Sequence, residues 1–444
     1  MPIANILGVI VFFGIAVWFS EARDKINYKN AGRTLALQFS IAVLALAVPF
    51  GTAALNSVTN AIKHVIEYAN EGMAFVFGIF ADKDTVGEIF NPVVGHDGGG
   101  VLLAFQVFPI IIFLATLFAI MFHLRIMDLV IKIIGGVVRL ITGSSRLEST
   151  VSAASIFVGM VEAPLAILPY LKSMTRSQLF TVMSCGMASI AGTVLAVYIG
   201  LGIDGKLLIV ASFMAAPGGL LMGKLLIPET EEPFDIANFK DTKTEDDPNQ
   251  ATNLIEAATT GALTGLTIML NVIAVIIAFV AMIALVNGIF GGLGGIHWFW
   301  QDSWTINNLL GNELSLELLF GYIFAPIAWL IGVPSGEVMS AGPFLGQKLV
   351  ANEFLAYLNF TQHIDEFSLR GQVAITVALC GFANFVGVGI LMAGLGAVIP
   401  ERKQEISKLG MKSLIAGSLS NFTSAALVGI ALSIAGLMGM TPLG

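Results

Sequence analysis

Runs of about 20 apolar residues, each enough to cross a hydrocarbon layer of roughly 30 Å as a helix, recur along the chain at 3–20, 35–55, 101–123, 180–201, 207–226, 260–286, 375–399 and 413–437. Lipid supplies no hydrogen-bond partners, so such segments must pair their backbone groups internally, and at this length they do so as helices. Only 12% of the 444 residues are charged, about half the share of a soluble domain. The expectation is an all-α integral membrane protein with eight transmembrane helices. The first run has no basic flank before it and no small-residue cleavage site after it, so it reads as a retained helix and not a signal peptide.

The same composition narrows the partners to the lipid bilayer and small molecules. The formal charge of −8 is spread over loops without a basic stripe, so nucleic acid is not expected to bind. Cys185 and Cys380 both fall in apolar segments, and the five histidines show no metal-ligand spacing. Neither a disulfide framework nor a Cys-based metal centre is expected.

Loop charges orient the chain, because cytoplasmic loops are enriched in Lys and Arg. Arg23, Lys25, Lys29 and Arg33 put the loop after the first run inside. The region 63–97, with two basic against six acidic residues, lies outside, and Arg125, Lys132, Arg139 and Arg146 bring the chain back. The stretch 150–171 then ends on Lys172 and Arg176, so both its ends are cytoplasmic. A segment that enters and leaves on one side is a re-entrant hairpin, and Gly159, Glu162 and Pro164 fit a break in its middle; the alternative is an ordinary Pro-kinked span. The stretch 314–345, with Gly332, Pro334, Gly336 and Glu337, mirrors it on the other face, since 287–315 lacks Lys and Arg and the acidic Asp365 and Glu366 follow. The basic loop holding Arg402, Lys403, Lys408 and Lys412 then lands inside, and both termini of this multi-pass cell-membrane protein lie outside. The acidic segment 228–256 is assigned inside, where acidic residues carry little topogenic weight, and reads as a mobile polar linker.

After each hairpin comes a similar helix: Cys185-Gly186-Met187-Ala188-Ser189 in the first half, Cys380-Gly381-Phe382-Ala383-Asn384 in the second. The loop charges give the halves opposite topology, which makes an inverted repeat. Transporters of that design hold substrate near the bilayer midplane, where broken helices free backbone groups to bind it. Glu162 and Glu337 carry the most information, since an acid at bilayer depth costs of order 2.5–3.5 kcal/mol even on lenient scales. Pro164 and Pro334 mark first turns of half-helices, whose positive ends stabilise a nearby carboxylate by up to about 2 kcal/mol. A carboxylate so held suits a ligand rich in hydroxyl or N–H donors; the alternative is that each Glu ties down its hairpin tip. Weaker features are the Gly-rich stretch 291–295, a flexible loop with no strand before it, and 125–141, an interfacial amphipathic helix or a plain connector. Lys348 and Glu353, on the outgoing arm of the second hairpin, read as a structural ion pair.

Gly159-Met160-Val161-Glu162-Ala163-Pro164 resembles the Gly-Gln-Thr-Glu-Ala-Pro tip of concentrative nucleoside transporters. Similar runs cover nearly the whole chain: Ala188-Ser189-Ile190-Ala191-Gly192, Ala215-Ala216-Pro217-Gly218-Gly219, Val350-Ala351-Asn352-Glu353-Phe354, Gly381-Phe382-Ala383-Asn384 and Ser418-Leu419-Ser420-Asn421. The resemblance implies a homotrimer that takes up nucleosides on a cation gradient by an elevator-like alternation. A scaffold (1–147 and 257–312) would hold a moving part made of transport repeats 148–227 and 313–444, with 228–256 as the linker. By position, Glu162 and Val194 would face the nucleobase, Glu337, Asn384 and Phe382 the ribose, and Ser155, Val158, Ser189 and Ile190 the coupling cation.

Three departures from the family pattern stand out, one of them a pair of residues. Met160 and Val161 replace the Gln-Thr pair that reads the base, Gly387 stands where the ribose side expects Ser, and Ser155 stands where sodium-coupled members usually carry Asn. The last change tilts the choice of coupling ion from sodium toward the proton, and the first predicts weak discrimination among bases. No other cofactor and no catalytic residue is expected. The leading reading is a cation-coupled symporter of nucleosides or another hydroxyl-rich solute. A channel would show a filter loop or charge ring. An intramembrane enzyme using the two Glu residues as acid and base would need a nucleophile or metal set that the sequence does not display.

Overall fold

The computed structural model describes residues 2–94, 102–234, 251–294, 307 and 313–439, and the described residues contain helices and turns but no β-strand. Helices α1 (Pro2–Trp18), α2 (Tyr28–Leu46), α3 (Pro49–Phe77), α4 (Lys83–Val94), α5 (Leu103–Gln106), α6 (Ile110–His123) and α7 (Ile126–Thr142) come first. The apolar run 35–55 is not one straight span: α2 and α3 meet at 79°. Pro49 opens α3, and the residue before it, Val48, is forced out of helical geometry to φ −123°, ψ 129°. Among the described residues five helices are long and apolar enough to cross a membrane singly, six if the bent pair is one span, and shorter apolar helices fill the remaining runs. The chain is a multi-pass membrane protein.

Two sets of elements repeat. The first is α7, then α8 (Arg146–Ala154), a turn, a 3-10 return arm (Ala163–Ser173), α9 (Arg176–Ala188), α10 (Gly192–Gly200) and α11 (Gly205–Leu226). After α12 (Leu254–Gly294) the second runs α13 (Leu316–Leu330), α14 (Val338–Val350), α15 (Glu353–Gln362), α16 (Leu369–Leu379), α17 (Phe385–Val398) and α18 (Lys403–Leu437). Packing matches element by element. α7 lies on α8 as α13 lies on α14, α8 on its return arm as α14 on α15, and α9 on α11 as α16 on α18.

That correspondence shifts the second hairpin from its expected place. The counterpart of hairpin 1 is α14–α15, with its break at Ala351 and Asn352; α13 is the counterpart of the amphipathic α7, and the turn holding Gly332, Pro334 and Glu337 merely joins α13 to α14. Glycine and proline drew attention to the wrong turn. The true break contains neither: Asn352 (φ −162°, ψ 167°) leaves the helix and caps α15, its side chain accepting from Leu355 N at 2.8 Å.

Hairpin 1 lies where expected, and its return arm is 3-10 because Pro169 interrupts it and Ile167 leaves helical geometry. Gly291 to Gly294 continue α12 and form no loop, while Gly295 and linker residues 235–250 lie outside the described residues. α12 touches α6 through Gly261 and Gly265, one turn apart; a β-carbon on Gly265 would sit 2.6 Å from Ile112 Cα. Close backbone approach of this kind supplies the packing that lipid-solvated helices otherwise lack.

Candidate functional site

Both matched helices are broken, and the breaks touch. The first separates α9 from α10 at residues 189–191, the second α16 from α17 at 380–384, and Phe382 N donates to Ser189 O at 3.0 Å between them. A helix end leaves carbonyls without partners, and here side chains supply donors. Asn421 on α18 donates from Nδ2 to Ala188 O (2.7 Å) and Cys380 O (2.8 Å), one carbonyl from each broken helix. Its Oδ1 accepts from Lys348 Nζ at 2.7 Å, and the same ammonium donates to Ala378 O at 2.7 Å. Gly381 is required at this crossing, since a β-carbon there would collide with Asn421 and come within 2.6 Å of Ala188 O.

A cavity of about 1830 Å³ opens beside the crossing and runs out to α7, where Arg125, Lys132 and Arg139 lie along it. Seven of the eight residues expected to bind substrate line it: Met160, Val161, Glu162, Val194, Phe382, Asn384 and Gly387. The eighth, Glu337, is not among the lining residues; its carboxylate accepts from Ser368 N (3.3 Å) and Ser368 Oγ (3.2 Å) at the start of α16. Glu353 takes its place. It is buried at the first turn of α15, accepts from Asn384 Nδ2 at 2.8 Å and from Tyr198 OH at 3.0 Å, and lines the cavity with Asn352. The expected Lys348–Glu353 ion pair does not form, because each residue bonds elsewhere. In the sequence Glu353 stood out as half of a structural ion pair and within the family-like run Val350 to Phe354, and the Asn-Glu step after an apolar helix, the signature of a cap, is the local signal that marks the break.

At hairpin 1 the side chains of Met160 and Val161 make apolar contacts. Met160 sits against Gly186 of α9, and Val161 against Gly394 of α17. Glu162 is exposed to the cavity, its carboxylate folded back over Gly159. Asn384 is the N-cap of α17, its Oδ1 accepting from Gly387 N at 2.6 Å. A side chain at 387 would collide with the Phe382 carbonyl, which accounts for glycine at that position.

The four residues expected around the coupling cation flank one junction, where Gly192 N donates to Phe157 O at 2.9 Å and ties the tip of hairpin 1 to the α9–α10 break. Ser155 Oγ donates to Val151 O (2.9 Å) and Ser189 Oγ to Gly186 O (3.3 Å), so each hydroxyl keeps its lone pairs available. The described residues hold no group of three or more His, Cys, Asp or Glu placed to bind a metal. An ion here would be held by carbonyls and hydroxyls alone.

Re-entrant arms and paired broken helices around a cavity at their crossing define a secondary active transporter of the alternating-access kind. The chain matches three family models: "Na+ dependent nucleoside transporter N-terminus" over residues 7–80, "Nucleoside recognition" over 104–204, and "Na+ dependent nucleoside transporter C-terminus" over 207–429. A nucleoside permease of Helicobacter pylori is 40% identical over 96% of this chain and 97% of its own, and an uncharacterized transporter of Haemophilus influenzae is 42% identical over 96% and 97%. Among solved structures, the transporter CNTnw in an inward-facing substrate-bound state superposes with a TM-score of 0.87 at 40% identity, covering 97% of this chain and 98% of that one. A variant of CNTnw in an intermediate state gives 0.89 at 41% identity, covering 98% and 99%. The chain belongs to the concentrative nucleoside transporter family, whose members are transporters and not enzymes.

Proposed function

We propose that this chain takes up nucleosides by cation-coupled symport, with an elevator-type movement of the two repeats against a scaffold. The single observation that carries the reading is the Glu353–Asn384 pair in the cavity wall. Glu353 spends one lone pair on Tyr198 and one on Asn384, which leaves acceptor capacity for vicinal hydroxyls such as those of a ribose. Glu162, Met160, Val161 and Val194 form the wall on the other side, where a base would lie with few side-chain partners of its own. Phe382, Asn384 and Gly387 complete the sugar side; Glu337 has no part in it.

Ser155, Val158, Ser189 and Ile190 are assigned to the coupling ion. The family descriptions name sodium, and an environment of hydroxyls and carbonyls suits a hard cation. Sodium is therefore favoured over the proton, despite Ser155. The division into scaffold (1–147, 257–312) and transport repeats (148–227, 313–444) is kept, with α14–α15 as the second hairpin. The cavity runs toward the basic α7, the face assigned to the cytoplasm with both termini opposite, so this conformation is inward-facing. The exposed face of α12 is consistent with a homotrimer.

The test is uptake into reconstituted vesicles across a panel of nucleosides under imposed sodium or proton gradients. Saturable uptake that collapses with the sodium gradient, and that 2′,3′-dideoxy analogues fail to inhibit, is the expected result. Uptake indifferent to both gradients, or full competition by dideoxy analogues, would overturn the proposal.

A further inference from the structure

Hairpin 1 brings the end of α8, with Ser155 and Val158, against the break that follows α9. The packing correspondence maps this corner onto the end of α14 against the break that follows α16. What stands at the end of α14 is Lys348, 2% exposed. Its ammonium donates to Ala378 O, in the last turn of α16, and to Asn421 Oδ1, each at 2.7 Å, and lies 5.9 Å from the centroid of the Phe422 ring. Carbonyl oxygen, amide oxygen and a ring face form an environment for a small cation. Ala378 O is also at the negative end of a half-helix, where positive charge is stabilised. The first repeat offers only uncharged oxygen ligands at the matching corner and carries no basic side chain among its assigned residues.

We infer that the Lys348 ammonium is a tethered cation occupying the second repeat's counterpart of the coupling-ion site. It rests on the assignment of Ser155, Val158, Ser189 and Ile190 made above. One repeat exchanges its cation with solution and reports the gradient; the other carries one that is covalently attached. Because Asn421 links that ammonium to the end carbonyls of both broken helices, the crossing keeps its shape whether or not the exchangeable ion is bound. Lys348 is thus a positioning residue, acting on the site through Asn421 and the breaks.

Lys348→Ala would leave Ala378 O and Asn421 Oδ1 facing an empty corner. In detergent, thermal melting of this variant is expected at lower temperature than wild type, with recovery on adding methylammonium chloride or high sodium chloride and none with tetramethylammonium chloride, which is too large. In vesicles its nucleoside uptake should require more sodium, and the Hill slope for sodium should rise by about one, the signature of an additional linked ion. A purely structural lysine would lower stability without altering that slope. Lys348→Met, which fills the volume without charge, should remain folded and lose uptake by roughly a hundredfold. The inference is overturned if Lys348→Met transports with wild-type sodium dependence, or if the melting loss in Lys348→Ala responds to neither methylammonium nor sodium. Failure of wild-type protein to transport any nucleoside would instead sink the functional reading, and the melting comparison would still decide this one.

Discussion

Hairpins 1 and 2 hold a glutamate at the same point, the start of the returning arm, and treat it oppositely. Glu162 is exposed to the cavity, and the residues around it, Met160 and Val161, grip their neighbours through apolar contact alone. Glu353 is buried among Asn384, Tyr198 and the cap on Asn352, one layer from the Lys348–Asn421 link. Apolar contacts are non-directional and exchange readily for others, whereas a buried hydrogen-bonded carboxylate has few tolerable alternatives. Under the proposed function the comparison predicts different work for the two tips: hairpin 1 would release and reseat, and hairpin 2 would define what is held.

The sharpest way to break this contrast is Glu353→Gln. Its amide brings a donor toward Asn384 Nδ2 or Tyr198 OH, both already donating. Removing one partner of a buried charged bond costs several kcal/mol, so uptake should fall by roughly a hundredfold or more. Folded protein should be recovered, as judged by gel filtration. Near-normal uptake would dissolve the distinction between the tips.

A smaller effect tests the apolar side. Met160→Gln with Val161→Thr keeps the volumes packed on Gly186 and Gly394 but adds hydrogen-bonding groups to the wall. Wild type is expected to distinguish standard bases weakly, and the double variant to separate one base from its analogue by about tenfold more. Competition curves that coincide for the two proteins would count against the assignment of this wall to the base.

The smallest effect is expected at Glu337, which is half-buried and bonds only to Ser368. Glu337→Gln retains an acceptor, so uptake should change by no more than about fivefold, the span of ~1 kcal/mol. Abolished uptake would return Glu337 to the substrate site and undo the shift of the second hairpin.

Much of this was legible in the sequence where the signal is local. Long apolar runs gave the helices, and Gly159 with Pro164 gave the turn of hairpin 1, because lipid forces each segment to satisfy itself. Legibility failed where one signal concealed another. The run 35–55 reads as continuous although Pro49 bends it sharply, and the Gly332–Pro334 turn is a better-looking break than the Asn cap that breaks hairpin 2. The partnership of Glu353 with Asn384 was hidden for a different reason. Their positions in the chain are fixed by separate helices, and only the packing of those helices brings the two side chains together. Lys348 and Glu353, near neighbours in sequence, face different partners for the same reason.

Helix α12 adds a constraint of a geometric kind. Its 41 residues span about 60 Å, twice the roughly 30 Å of hydrocarbon, and they are apolar along nearly the whole length. Such a rod cannot stand upright without driving oily surface into water, so it must recline across the membrane. Its shadow on the membrane plane is then wide, and it is held at two places: against α6 through Gly261 and Gly265, and at Asn287, whose amide donates to Glu317 and accepts from Leu316 N at the start of α13. A reclining beam tied at two points has its slope set by the protein, and because Thr264, Asn271 and Val275 of the same beam line the cavity, any thinning or thickening of the bilayer that tips it is felt at the cavity wall.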